Sequence, residues 1–132
     1  MKSRLAVVIA ALATGLTWPV MAAPALNCTD PQTQSEMNMC ADQDFRAADA
    51  QLNATYRQLA AKLDAHSKAL LVDAERAWVA FRDKECTFET VGNEGGSIRP
   101  MLYSGCLTTL TKARTRDLKA QAACANNAES CQ

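Results

Sequence analysis

The sequence predicts an all-α fold, a small disulfide-stapled bundle of three main antiparallel helices behind an N-terminal arm. Three observations predict it. Apolar residues recur at steps of three and four along three long segments. Aromatic residues are only 5% of the chain and glycine occurs 5 times, which disfavours a sandwich or barrel built from strands and turns. Six cysteines in 132 residues supply covalent staples for a core too small to rest on burial alone. A chain this long is one domain, and its 48% hydrophobic content excludes low-complexity disorder. The 14 basic and 14 acidic residues cancel, so no nucleic-acid footprint shows in the total.

Residues 1–22 read as a signal peptide. Lys2 and Arg4 form a positive start, residues 5–16 carry no charge, and Val20-Met21-Ala22 places tolerable side chains at the −3 and −1 positions. Pro24 would sit just past a cut after Ala23, so cleavage is expected after Ala22. The apolar run is shorter than the roughly 20 residues that span a bilayer. Asn27 precedes Cys28, where a lipid-anchored protein needs a small residue, so no membrane anchor is expected. Residues 23–132 then form a single exported domain, periplasmic or secreted. Losing Lys2 and Arg4 leaves 12 basic against 14 acidic residues, a net charge of −2.

The first helix opens at Thr33-Gln34-Ser35-Glu36, a capping-box sequence. Met37, Ala41, Phe45, Ala48, Leu52, Tyr56, Leu59 and Leu63 follow as one stripe, with no Gly or Pro inside it. Asp64-Ala65-His66-Ser67 interrupts it, with Ser67 as N-cap of a second helix. There Leu71, Ala74, Trp78, Phe81, Glu85 and Phe88 repeat the pattern. Gly92-Asn93-Glu94-Gly95-Gly96 ends that helix. A third begins between Ser97 and Pro100, with Tyr103, Leu107, Leu110, Arg114 and Leu118 on its stripe.

The even cysteine set, Cys28, Cys40, Cys86, Cys106, Cys124 and Cys131, behind a secretory leader reads as three disulfides in an oxidising compartment. Zinc is the competing reading, but there is no CxxC pair and His66 is the lone histidine, so no metal and no cofactor are expected. Six cysteines allow fifteen connectivities. A Cys86 to Cys106 bridge would clamp both flanks of the Gly-rich loop, and the turn at Asp30-Pro31 would fold Cys28 back towards Cys40. Cys124 and Cys131 are about 10.5 Å apart along a continuous helix, beyond disulfide reach. A bridge between them would require the helix to end near Asn126-Asn127.

Chemistry-bearing side chains read mostly as scaffold. With Cys86 level with Cys106, Arg114 falls beside Trp78 and one turn from Glu75, where a cation–π contact or a buried ion pair would satisfy it. Arg82 and Asp83 read the same way. Glu75, Asp83, Glu85 and Glu89 resemble an acid–base set only in composition, since they lie along one helix that exposes charge anyway. His66 sits in a turn. No Gly-x-Ser-x-Gly, phosphate loop or Cys–His pairing occurs, so the chain is not expected to be an enzyme.

The irregular segment of residues 91–100 turns the chain between two helices, with a glycine as C-cap and Ser97 as N-cap. Read functionally, it is a bridged finger for a partner. Asn93, Glu94, Gly95, Gly96, Ser97 and Arg99 would then combine polar contacts with close backbone approach, and the bridge would lower the ordering cost of binding.

The residues resemble a known family. Cys28, Met37-Asn38-Met39-Cys40-Ala41 and Leu52-Asn53-Ala54-Thr55-Tyr56 with Leu59 look like its first half. Trp78-Val79-Ala80-Phe81-Arg82-Asp83-Lys84-Glu85-Cys86, Gly95-Gly96-Ser97, Cys106, Thr111 and Arg114-Thr115 with Leu118 look like its second. Together they resemble the LprI-type lysozyme-inhibitor family over residues 28–118, leaving 119–132 as a C-terminal extension. Asn53, Tyr56, Trp78, Arg82 and Arg114 belong to that motif set.

The resemblance implies an exported, helical bacterial protein that binds c-type lysozyme or another cell-wall hydrolase. It implies bridges between Cys28 and Cys40 and between Cys86 and Cys106. If inhibition holds, the expected mechanism is steric occlusion of the saccharide cleft, with the loop from Glu94 to Arg99 as the first candidate plug. A net charge of −2 is a weak complement to a strongly basic lysozyme. The alternative is a periplasmic immunity or envelope binding protein directed at a different secreted effector. The sequence does not fix the oligomeric state.

Overall fold

The computed structural model describes residues 26–125. Helix α1 spans Gln34–Ala60, α2 spans Ala65–Glu89, a 3-10 turn covers Val91–Asn93, and α3 spans Arg99–Cys124. Each helix runs antiparallel to the next, so α1 and α3 are parallel. Asn38 meets the Ser97 carbonyl at one end, and Lys62 meets the Ala122 carbonyl at the other.

Helix α1 starts in a complete capping box. The Glu36 N–H donates to the Thr33 hydroxyl (3.2 Å), and the Thr33 N–H donates back to the Glu36 carboxylate (2.9 Å). The Gln32 N–H also donates to Glu36, at 2.7 Å. These backbone donors, Gln32 first and then Thr33, hold the Glu36 carboxyl below its ordinary pKa.

The start of α2 differs from the sequence expectation. Its N-cap is Asp64 rather than Ser67, and the helix resumes at Ala65. Ser67 is instead the donor: its N–H (2.9 Å) and hydroxyl (2.7 Å) both reach the Asp64 carboxylate. A carboxylate accepts two donors from the first turn and favours the helix N-terminus electrostatically, which a hydroxyl at position 67 would do less well. The Ser67 N–H is the main cause of the lowered Asp64 pKa.

The core is small. Leu52, Leu59, Ala60, Leu71 and Leu118 form its buried cluster, with Tyr56, Leu63, Trp78 and Ala122 packed against it. Helices α1 and α3 pack closely because their facing residues are small: Ala48 and Thr55 on one side, Ser104, Thr111 and Thr115 on the other, all buried. The hydroxyls of Thr55 and Thr115 donate to carbonyls one turn back, at 2.9 and 2.8 Å. Those threonines therefore pack as compact apolar residues with no polar group left unmet. Polar residues thus supply much of the buried face of α3, next to Leu107 and Leu118.

Helix α2 buries only part of the stripe expected, since Leu71 lies in the core and Trp78 packs against it. Leu71, Arg82 and Cys86 are its buried residues, while Phe81 is 53% and Phe88 72% exposed. The helix ends at Thr90, not at a glycine. The Thr90 hydroxyl donates to the Cys86 carbonyl (2.7 Å), taking up an acceptor that a left-handed glycine cap would otherwise serve. Helix α3 likewise lacks the Ser97 cap. Its N-cap is Ile98 with no side-chain bond, and Pro100 in the first turn has no N–H to satisfy.

Disulfides join Cys28 to Cys40, fastening the arm to α1, and Cys86 to Cys106, fastening α2 to α3. Cys124 is disulfide-bonded too. The expected pairing of Cys124 with Cys131 lies outside the described residues, as do the leader and its cleavage position.

Candidate functional site

The α2–α3 connection is a tight cap over one end of the bundle. After the 3-10 turn, the Gly96 N–H donates to the Asn93 carbonyl (2.9 Å) and the Arg99 N–H to the Gly96 carbonyl (3.2 Å). Gly95 sits at φ +77°, the left-handed region that glycine enters without penalty. The Asn38 side chain holds the Ser97 carbonyl at 3.0 Å, and the Cys86–Cys106 bridge ties the two helices that carry the loop. Glu94, Gly95, Gly96 and Ser97 are exposed, while Asn93 and Arg99 are half-buried. Gly95, Gly96, Arg99, Pro100 and Tyr103 line an open hollow of about 430 Å³. The Arg99 Nε is buried there without a hydrogen-bond partner.

The motif residues in mid-bundle do something different. The Arg82 side chain, only 8% exposed, links all three helices. Its Nε donates to Asp83 at 2.9 Å, and its Nη1 donates to Asp49 on α1 (3.2 Å) and to the Thr111 hydroxyl on α3 (3.3 Å). Its guanidinium also lies over the rings of Phe45 (5.2 Å) and Trp78 (5.3 Å). Asn53 steadies Asp49 through two 2.9 Å bonds, to its carbonyl and its carboxylate. Trp78 therefore receives Arg82, not Arg114. Arg114 takes the ion-pair alternative, with Glu75, through its Nε at 2.9 Å and through Nη2. Tyr56 packs on the core cluster.

Asp49, Phe45 and Thr111 become partners of Arg82 only once the three helices pack together. The available signal was an aspartate four residues before Asn53 on the same helix face, together with a threonine amid the apolar stripe of α3.

Among the described residues, the acid–base candidates of α2 do not gather at one site. Glu75 and Asp83 are engaged by Arg114 and Arg82, and His66 lies about 28 Å along α2 from Glu85. Among the described residues, no group of three or more His, Cys, Asp or Glu is arranged to hold a metal. Nor is any helix among them long and apolar enough to cross a membrane.

Charge is strongly segregated, although the totals nearly cancel. The loop half, residues 26–46 and 78–108, carries 8 carboxylates against 4 basic side chains. The other half, residues 47–77 and 109–125, carries 5 against 8. The loop end is thus the acidic pole of a dipolar molecule.

The profile of the family described as "Lysozyme inhibitor LprI" matches residues 27–118. The uncharacterized protein R02472 of Rhizobium meliloti (strain 1021) is 43% identical over 109 residues, 73% of this chain and 78% of that protein. The uncharacterized protein YecT of Escherichia coli (strain K12) is 30% identical over 108 residues, 70% of this chain and 67% of that protein. No solved structure matches the chain. The matched span runs from the arm just before Cys28 to Leu118, taking in both described disulfides, the Arg82 cluster and the Gly95-Gly96 turn; this chain belongs to the LprI family of lysozyme inhibitors.

Proposed function

We propose that the mature chain is an exported inhibitor of lysozyme-type cell-wall hydrolases that works by occluding the saccharide cleft with its loop end. The observation that carries the reading is the family match over residues 27–118. Such enzymes cleave through two carboxylates in a cleft, so a rigid body seated there blocks substrate with no chemistry of its own. The loop suits that task. It is short, closed by backbone hydrogen bonds, pinned by Asn38 and flanked by a disulfide, so little ordering entropy is lost on binding. Asn93, Glu94, Gly95, Gly96, Ser97 and Arg99 form the proposed contact.

The charge layout supports the direction of approach. A net charge of −2 steers weakly, but an acidic pole at the loop end orients the molecule towards a basic enzyme and raises the encounter rate. The leader of residues 1–22, cut near Ala22, would deliver the protein to the periplasm or the medium, where its disulfides persist.

Exposed loop positions make the test clean. Glu94→Lys combined with Ser97→Ala is expected to weaken inhibition of c-type lysozyme at least tenfold in a cell-wall clearing assay, with the melting temperature unchanged. Equal inhibition by the variant would remove the loop from the contact.

A further inference from the structure

Among the described residues, the arginines withdrawn from full exposure are Arg82, Arg99 and Arg114. Two of them hold carboxylates of their own chain: Arg82 takes Asp49 and Asp83, and Arg114 takes Glu75. Arg99 forms no ion pair with any described carboxylate, and its Nε is buried without a hydrogen-bond partner. A guanidinium keeps its charge at every working pH, and a buried donor left unmet costs stability. The fold therefore carries an unpaired cation where its other withdrawn arginines are paired.

The surroundings define what would satisfy it. Arg99 opens α3 and lines the hollow of about 430 Å³ with Gly95, Gly96, Pro100 and Tyr103. None of these is acidic. Tyr103, one turn further along α3, adds a phenol whose hydroxyl makes no hydrogen bond among the described residues. Arg99 is also the one basic residue between Lys84 and Lys112, a stretch that holds Glu85, Glu89 and Glu94. An extended polyanion would be repelled by that acidic rim. A single carboxylate on an otherwise basic body fits both features: the rim attracts the body, and the guanidinium fork takes the carboxylate. A lysozyme-type cleft presents such carboxylates, two of them, on the enzyme's working surface. A second copy of this chain fits less well, because pairing through Arg99 would press two acidic loop ends together.

We propose that Arg99, with Tyr103 beside it, receives one of the two cleft carboxylates of the hydrolase. This rests on the inhibitor reading and names the group on the enzyme that the loop end recognises. The inhibitor would then select enzymes by the carboxylates that perform the cleavage, and not by the shape of the cleft alone.

The test measures dissociation constants by titration calorimetry, so it needs no turnover. Oxidised mature protein is titrated into c-type lysozyme and into two inactive forms of it, each with one cleft carboxylate replaced by its amide. Arg99→Met should weaken binding to the unaltered enzyme by about 30-fold, the scale of a lost close charge pair. The unaltered inhibitor should bind one amide enzyme about as weakly, and Arg99→Met should weaken that pair no further. Arg99→Lys, which keeps the charge without the fork, should recover only part of the loss. Arg116→Gln removes the same charge about 25 Å along α3 and should change nothing. The melting temperature of Arg99→Met should not fall, since an unmet donor is removed; a purely structural arginine would lower it. Equal binding by Arg99→Met, or an equal loss against all three enzymes, overturns the pairing and leaves the inhibitor reading standing. Absence of binding by the unaltered protein overturns both. Sedimentation that shows a dimer dissociated by Arg99→Met assigns the arginine to a second copy and overturns the proposal.

Discussion

Replacing Arg82 tests whether the motif arginine is the bundle's internal clasp. Its carboxylate partners are partly hydrated, Asp49 at 39% and Asp83 at 49% side-chain exposure. Water would recover them when the guanidinium leaves, so the ion pairs contribute only about 1 kcal/mol together. The contacts over Phe45 and Trp78 add about 1–2 kcal/mol, and burial of the three-carbon stem adds about 2 kcal/mol. Arg82→Ala should therefore destabilise by about 4 kcal/mol. Arg82→Met, which keeps an apolar stem, should cost about 2 kcal/mol. At roughly 4–8 °C per kcal/mol for a domain this size, the alanine variant should melt about 16–32 °C lower and the methionine variant about half as far. Thermal denaturation of the oxidised protein at pH 7, followed by far-UV circular dichroism, reads both. A methionine variant as stable as the parent would show that the guanidinium contributes nothing. A methionine variant as unstable as the alanine one would show that the stem contributes nothing.

Three further outcomes follow from the same structure. Replacing Cys86 and Cys106 by serine opens a crosslink spanning 20 positions and should lower stability by about 3 kcal/mol, read as a drop in the denaturant midpoint. Gly95→Ala should cost about 1–2 kcal/mol because φ is +77° there, although the added Cβ meets nothing within 4 Å; Gly92→Ala, equally uncrowded and without that φ, should be neutral within a few tenths of a kcal/mol. The caps on Glu36 and Asp64 favour the ionised carboxylates, so their folded pKa values lie below the unfolded ones. The stability they supply is therefore present above the ordinary carboxylate pKa and lost as pH falls through the depressed one. An acid titration should show the parent losing stability below about pH 4, and a Glu36→Gln, Asp64→Asn variant should lose less over the same interval.

What the sequence made legible was local. Thr33 and Glu36 are three residues apart and need no tertiary partner to form a cap, and three long periodic segments become helices wherever they pack. The face of α2 was harder, because two stripes interleave one residue apart. The expected stripe mixes the two, and its Ala74, Phe81 and Phe88 stay outside while Leu71 and Trp78 turn inward. The one carrying Glu75 and Arg82 goes inside, because Arg114, Asp49 and Thr111 wait there to pair with them. Hydropathy cannot register partners that arrive from other helices. The same limit hid the buried threonines of α3, whose hydroxyls are satisfied by their own helix. Ser67 and Ser97 were misplaced as caps for a related reason. Asp64 was the stronger acceptor nearby, and Pro100 removed one of the N–H groups a cap would serve. The charge total concealed the acidic loop end because segregation between the two ends of a bundle needs the fold to be seen.

The central claim is that this chain stops a lysozyme-type hydrolase by binding it. Titrating oxidised mature protein into c-type lysozyme during clearing of a cell-wall suspension tests it most directly. The expected result is slowing that saturates near one inhibitor per enzyme and disappears when the disulfides are reduced beforehand. Undiminished clearing at large molar excess would contradict it.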